Sequence, residues 1–285
     1  MTGGEILGAA GAKGVAAVVK SAIPGAEDKA QFREITKDSK AAEVAAHARA
    51  DRIAIAQMAL TKLYAPLAKW VGYKSEYFDG GQFAADMAEK LADVPPERLV
   101  SPQPVVAAQA MEGLGFSLDE PDLKEMYLNL LATASDSATA QRAHPSFPQI
   151  IKQLSAAEAE ILLEVLDFPE GLAMVDVRLN ITEPRGFQTL HRHVIAMHDT
   201  ETGEPKEVQN WAMYVDNWVR LGLVNTDVST MRIGEDAYAW TEQRPEVIRE
   251  KAKYKDAENL TVTCQQGLLI TTALGMQFAA AVGKD

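Results

Sequence analysis

The chain has a single cysteine, Cys264, among its 285 residues. A disulfide framework within the chain is therefore excluded, and so is a metal site built on several thiolates. It also lacks an excess of positive charge, with a formal net charge of −12. Such a field repels phosphate backbones and anionic headgroups, so nucleic acid is a disfavoured partner unless the bases gather on one face. Arg142, Arg185, Arg192, Lys206, Arg220 and Arg232 are dispersed along the sequence, and spacing alone assembles no such face. No HExxH and no GxSxG occurs, which removes the plainest signatures of a zinc hydrolase and of a serine hydrolase. Gly3, Gly4, Gly8, Gly11 and Gly14 follow no strand pattern, so they do not read as a phosphate cradle. No internal repeat is visible at solenoid periods.

A clear membrane segment is missing as well. Near the N-terminus Glu5 precedes any basic residue and Lys13 interrupts the apolar run, which makes residues 1–25 a poor signal peptide and too small-sided for a span. Residues 259–283 carry no charge and are long enough to cross a bilayer. Gln265, Gln266, Gln277 and four threonines dilute that stretch, and Gln265-Gln266-Gly267 reads as a turn whose backbone groups would need partners in lipid. A hairpin followed by a helix is expected there. Membrane contact is not favoured, and a reducing cytoplasm is the expected location.

What is present is an ordinary globular balance, 47% hydrophobic and 24% charged, in a chain long enough for two domains. Residues 1–38 are low in complexity and read as loosely ordered. Residues 39–153 read as a helical domain. Alanine-rich helix formers run from Ser39 toward a break at Pro66, and further helices lie in "QFAADMAEKLADV" and in "PVVAAQAMEGLG", the latter ending near Gly113 or Gly115. The strongest helix is "LDEPDLKEMYLNLLATAS". Asp119 is its expected N-cap, Pro121 suits its first turn, and Leu123, Met126, Tyr127, Leu130, Leu131 and Ala134 form a stripe at threes and fours. Ser146 is expected to cap a short helix. Ser155 and Glu158 fit a capping box that opens the next one.

Residues 154–285 change period. "LAMVDVRLNI" and "TLHRHVIAMH" alternate as strands do. "KEVQNWAMYVDNWVRLG" is helical, with Trp211 and Trp218 on one face as core residues and Gly222 as C-terminal cap. "LVNTDV" reads as a strand and "PEVIREKAKYKD" as a charged, exposed helix. "LTVTC", "QQG" and "LLITT" read as strand, turn and strand before a closing helix. The fold class expected is mainly α, of α+β type: a helical N-terminal domain and a winged-helix-like C-terminal domain whose small antiparallel sheet ends in a wing.

Candidate chemistry is sparse. His191, His193 and His198 are the one dense histidine cluster, and the first two would share a face of a strand as metal ligands sometimes do. They are weak candidates beside the reading as ordinary surface histidines, and no cofactor is expected. His144 with Asp136 and Ser146 can be drawn as a triad, but a triad is recognised by geometry and the loop reading prevails.

The span from "VPPERLVSPQPVVAAQAMEGLGF" through "LKEMYLNLLATASD" to "AHPSFPQIIKQLSAAEAEIL" resembles the Abi-alpha (abortive infection alpha) family. The matching positions are Asn129, Leu130, Leu131, Ala132, Asp136, His144, Pro145, Ser146, Phe147, Leu154, Ser155 and Glu158, within residues 94–166. "LTVTCQQGLLITTALGMQF" is similar to the ending of such proteins. The resemblance implies a bacterial or phage-borne protein linked to arrest of phage growth, and it carries over no catalytic residue. The motif search favours a non-enzymatic cytoplasmic module for sensing or protein interaction, with a host or phage protein as partner and self-association left open. The readings set beside it are a DNA-binding regulator using the helix face between Val208 and Leu221, a metal-dependent hydrolase using His191 and His193, and a membrane-acting toxin using residues 1–25 or 259–283.

Overall fold

Prolines set the starts of three of the helices described in the first part of the chain. The computed structural model describes residues 75–199, 202–234 and 236–283. The expectations for residues 1–38, for the helix from Ser39, for the break at Pro66 and for membrane contact by residues 1–25 lie outside the described residues. The first elements are α1 (Ser75–Asp79), α2 (Gln82–Lys90), α3 (Pro104–Phe116), α4 (Pro121–Ser135) and α5 (Phe147–Ile151). Proline occupies the first or second position of α3, α4 and α5, where the N–H it lacks would have had no helical partner. The stripe expected on α4 is buried from Leu123 to Ala134. It packs with α2, α3 and α5, so that Met87, Met111, Leu114, Met126, Tyr127, Leu130, Leu131 and Phe147 form one core.

One local signal here is off by a residue. The N-cap position of α4 is Glu120, not Asp119, and the Glu120 side chain makes no cap bond. Pro121 fixes the first turn by itself. Helix α3 runs through Gly113 and Gly115 to Phe116. Gly113 is a contact residue and not a terminator: a Cβ there would lie 2.3 Å from the Tyr127 ring. The missing side chain lets α4 approach, which outweighs the poor helix propensity of glycine.

The described residues divide into two compact units, residues 75–156 with 280–283, and residues 157–279. The remaining elements are α6 (Ala156–Leu166), β1 (Leu172–Ile181), β2 (Gly186–Ile195), α7 (Trp211–Arg220), β3 (Val224–Asp227), α8 (Pro245–Lys253), β4 (Leu260–Thr271) and α9 (Ala273–Val282). The four strands form one sheet in the order β2-β1-β4-β3, antiparallel throughout. Together with the helices this gives the expected α+β class. Val175 and Val177 of β1, Val194 of β2, Tyr238 and Val247 form a core on one face of the sheet. Trp211 and Trp218 are buried, as their spacing predicts, with ring centroids 5.4 Å apart and edge to face. Gly222 ends α7 with φ 76°, and the N–H of Leu223 reaches back to the carbonyl of Trp218 at 2.9 Å.

The expected hairpin within residues 260–271 is not there. β4 is one continuous strand, paired with β1 from Leu260 to Leu269 without a register shift. The hairpin of this sheet is β1–β2, and β3 and β4 are neighbours joined through α8, so no wing forms from a final strand pair. The turn signal in Gln265-Gln266-Gly267 has another cause. A Cβ on Gly267 would stand 2.6 Å from the carbonyl oxygen of Asp227, so glycine marks a close crossing of two backbones. Nor is α8 an exposed helix: Glu246, Val247 and Glu250 are buried. Arg244 makes the burial tolerable, with its Nε and a terminal nitrogen donating to Glu246 Oε1 at 3.1 and 2.7 Å and another nitrogen to the Met197 carbonyl at 2.9 Å.

Residues 259–283 thus divide into β4 and α9, and among the described residues no helix is long and apolar enough to cross a membrane. Thr272 caps α9 by accepting from the N–H of Gly275 at 2.9 Å. Gly275 itself lies against the chain after α7, where a Cβ would be 2.1 Å from the Leu223 carbonyl oxygen. Gly275→Ala is expected to destabilise the protein by about 1–3 kcal/mol in urea unfolding, because forced displacement of backbone outweighs the gain in helix propensity. A neutral or stabilising effect would contradict the close approach.

Candidate functional site

Several polar bonds are made at the end of α4, where the helix stops and the chain turns. Asp136 is the first residue beyond it. Arg98 brings a fork to that carboxylate: its Nε donates to Oδ1 at 2.9 Å, and a terminal nitrogen pairs with Oδ2. The backbones also join here, with Ser137 N–H donating to the Arg98 carbonyl at 2.8 Å and Val100 N–H to the Ser135 carbonyl at 2.9 Å. Asp136 then shapes the loop that follows, since its Oδ1 accepts from the N–H of Ala138 at 2.9 Å. Burial pushes the Asp136 carboxyl up, but the Arg98 guanidinium and the Ala138 N–H outweigh it and hold the group below the ordinary carboxylate value. At neutral pH it is a fixed negative charge, unsuited to proton transfer.

One and two turns earlier on α4, Thr133 and Asn129 serve a different neighbour. Asn129 Nδ2 donates to the Val282 carbonyl and Thr133 Oγ1 to the Ala281 carbonyl, each at 2.9 Å. These carbonyls belong to the last turn of α9, whose final acceptors have no partner within their own helix. Beside them opens a cleft of about 530 Å³ lined by Lys90, Asp93, Arg98, Asn129 and Arg142, among others. It holds cations and carboxylates side by side and presents no single charge to a ligand.

The other matching residues are engaged in similar ways. Leu130, Leu131 and Phe147 are core, and Leu154 is buried. His144 and Ser146 meet, with Nδ1 and Oγ 2.8 Å apart, and the Ser146 N–H lies 3.2 Å from the same ring nitrogen. Ser146 occupies the N-cap position of α5, but its hydroxyl turns to His144 and makes no cap bond. Asp136 is bound to Arg98, so the drawn triad of His144, Asp136 and Ser146 is not assembled. Pro145 is exposed in the loop before α5. Ser155 directly precedes α6 and Glu158 is its third residue, the spacing of a capping box. Glu158 is buried and accepts from Asn217 Nδ2 at 2.7 Å.

The histidine cluster is split by a bulge. The pairing of β1 and β2 shifts between Val175 and Val177, and His193 takes φ 60° there. The strand alternation that would align His191 with His193 is lost at that point. His193 is buried, with Nε2 3.1 Å from Asp216 Oδ1; its N–H donates to Asp176 Oδ1 at 3.1 Å, and its carbonyl accepts from the Trp211 indole. His191 instead meets Glu250 Oε1 at 3.2 Å, and His198 forms a bridge with Pro205. Among the described residues no group of three or more His, Cys, Asp or Glu is disposed to hold a metal ion.

Helix α7 does not present a basic face either. Its outward residues are Met213, Asp216, Val219 and Arg220. Neighbouring cations face carboxylates: Arg192 with Asp216 at 3.4 Å, Lys206 with Asp199 at 3.8 Å and Arg232 with Glu170 at 3.7 Å. That arrangement opposes phosphate binding by this helix.

The family model for abortive infection alpha matches residues 79–282. The chain belongs to the abortive infection alpha family. The match takes in α2 through α9, so it covers far more than the segments that first suggested it. No curated protein and no solved structure matches the chain. Within this family member, Arg98 and Thr133 make bonds that sequence reading passed over. Arg98 stands 38 positions from Asp136, and no local period links the two.

Two substitutions test these bonds. Asn129→Ala leaves the Val282 carbonyl without its donor and is expected to cost about 1–3 kcal/mol in urea unfolding; no loss would contradict the bond. Asp136 has a depressed folded-state value, so its ion pair adds stability above the unfolded value and loses it as pH falls through the folded one. Asp136→Asn should therefore lower the urea midpoint at pH 7, with a gap to the unaltered protein that narrows at acid pH. A gap independent of pH would show that the charge does not matter.

Proposed function

We propose that this member of the abortive infection alpha family is a cytoplasmic anti-phage protein that acts by contact with a protein partner and not by catalysis. The observation that carries the reading is the engagement of the family's polar positions in framework bonds. Asp136 is clamped by Arg98, Asn129 holds the Val282 carbonyl, Ser146 meets His144 and Glu158 accepts from Asn217. Groups committed in this way position a scaffold; reacting groups need a free face toward substrate. A host or phage protein is the partner of this reading, and the acidic net charge supports protein over nucleic acid.

The test is plating of a diverse phage panel on cells with and without the gene, with survival of infected cells followed in parallel. Plaque counts should fall sharply for at least some phages, and infected cells should die or stop growing. Equal plaque counts across the panel would overturn the defence reading.

A further inference from the structure

We draw no further inference here: the strongest candidate, the side of β4 from Leu260 to Gln266 that meets no strand among the described residues, carries nothing because nothing in the structure shows what covers it.

Discussion

The pairing of β1 with β4 is the constraint on which the second unit depends. Ten consecutive residues of β1 meet β4 in unbroken register. That match carries β4 straight through a glutamine-glutamine-glycine sequence that would turn if left alone. It places Val175 and Val177 opposite Gln266 and Cys264, and so aligns the face that Tyr238 and Val247 cover. It also makes β4 a central strand whose second neighbour is far too short. β3 contributes only four residues, and its end crosses close to β4 where Asp227 meets Gly267. Among the described residues, that side of β4 meets no strand from Leu260 to Gln266, a direct consequence of unequal strand lengths.

Sequence periodicity revealed what depends on one element at a time. The stripe on α4 and the paired tryptophans of α7 are set by a repeat of three to four and lie where the pattern put them, Gly222 caps α7 as a local signal, and β1 is a strand although Met174 to Val177 are buried in succession. Readings that depend on a partner distant in the chain went astray. Gly113, Gly267 and Gly275 look like punctuation, yet each is small because another chain segment passes close by. Glu246 and Glu250 look like solvent-facing charges until Arg244 and His191 are set against them. His191 and His193 look like a same-face pair until a bulge intervenes. The candidate residues were visible in sequence as a resemblance, whereas their bonds were not, because Arg98 and the carbonyls of residues 281 and 282 lie far from Asp136 and Asn129 in the chain.

Those bonds give the family signature a physical meaning. A carboxylate clamped by a guanidinium and a backbone N–H is a poor acid and a poor base, but it fixes a loop. An asparagine and a threonine that receive the last carbonyls of a helix fix where that helix ends. The abortive infection alpha signature, read this way, describes a framework for the first unit.

The continuity of β4 is the statement that most depends on the pairing. Nuclear Overhauser contacts between α-protons of facing strands decide it. The account predicts contacts from β4 to β1 along the whole of Leu260–Leu269, and to β3 from Leu268 to Thr271 alone. Contacts between residues 260–264 and 268–271 across a turn at Gln265-Gln266-Gly267 would contradict it.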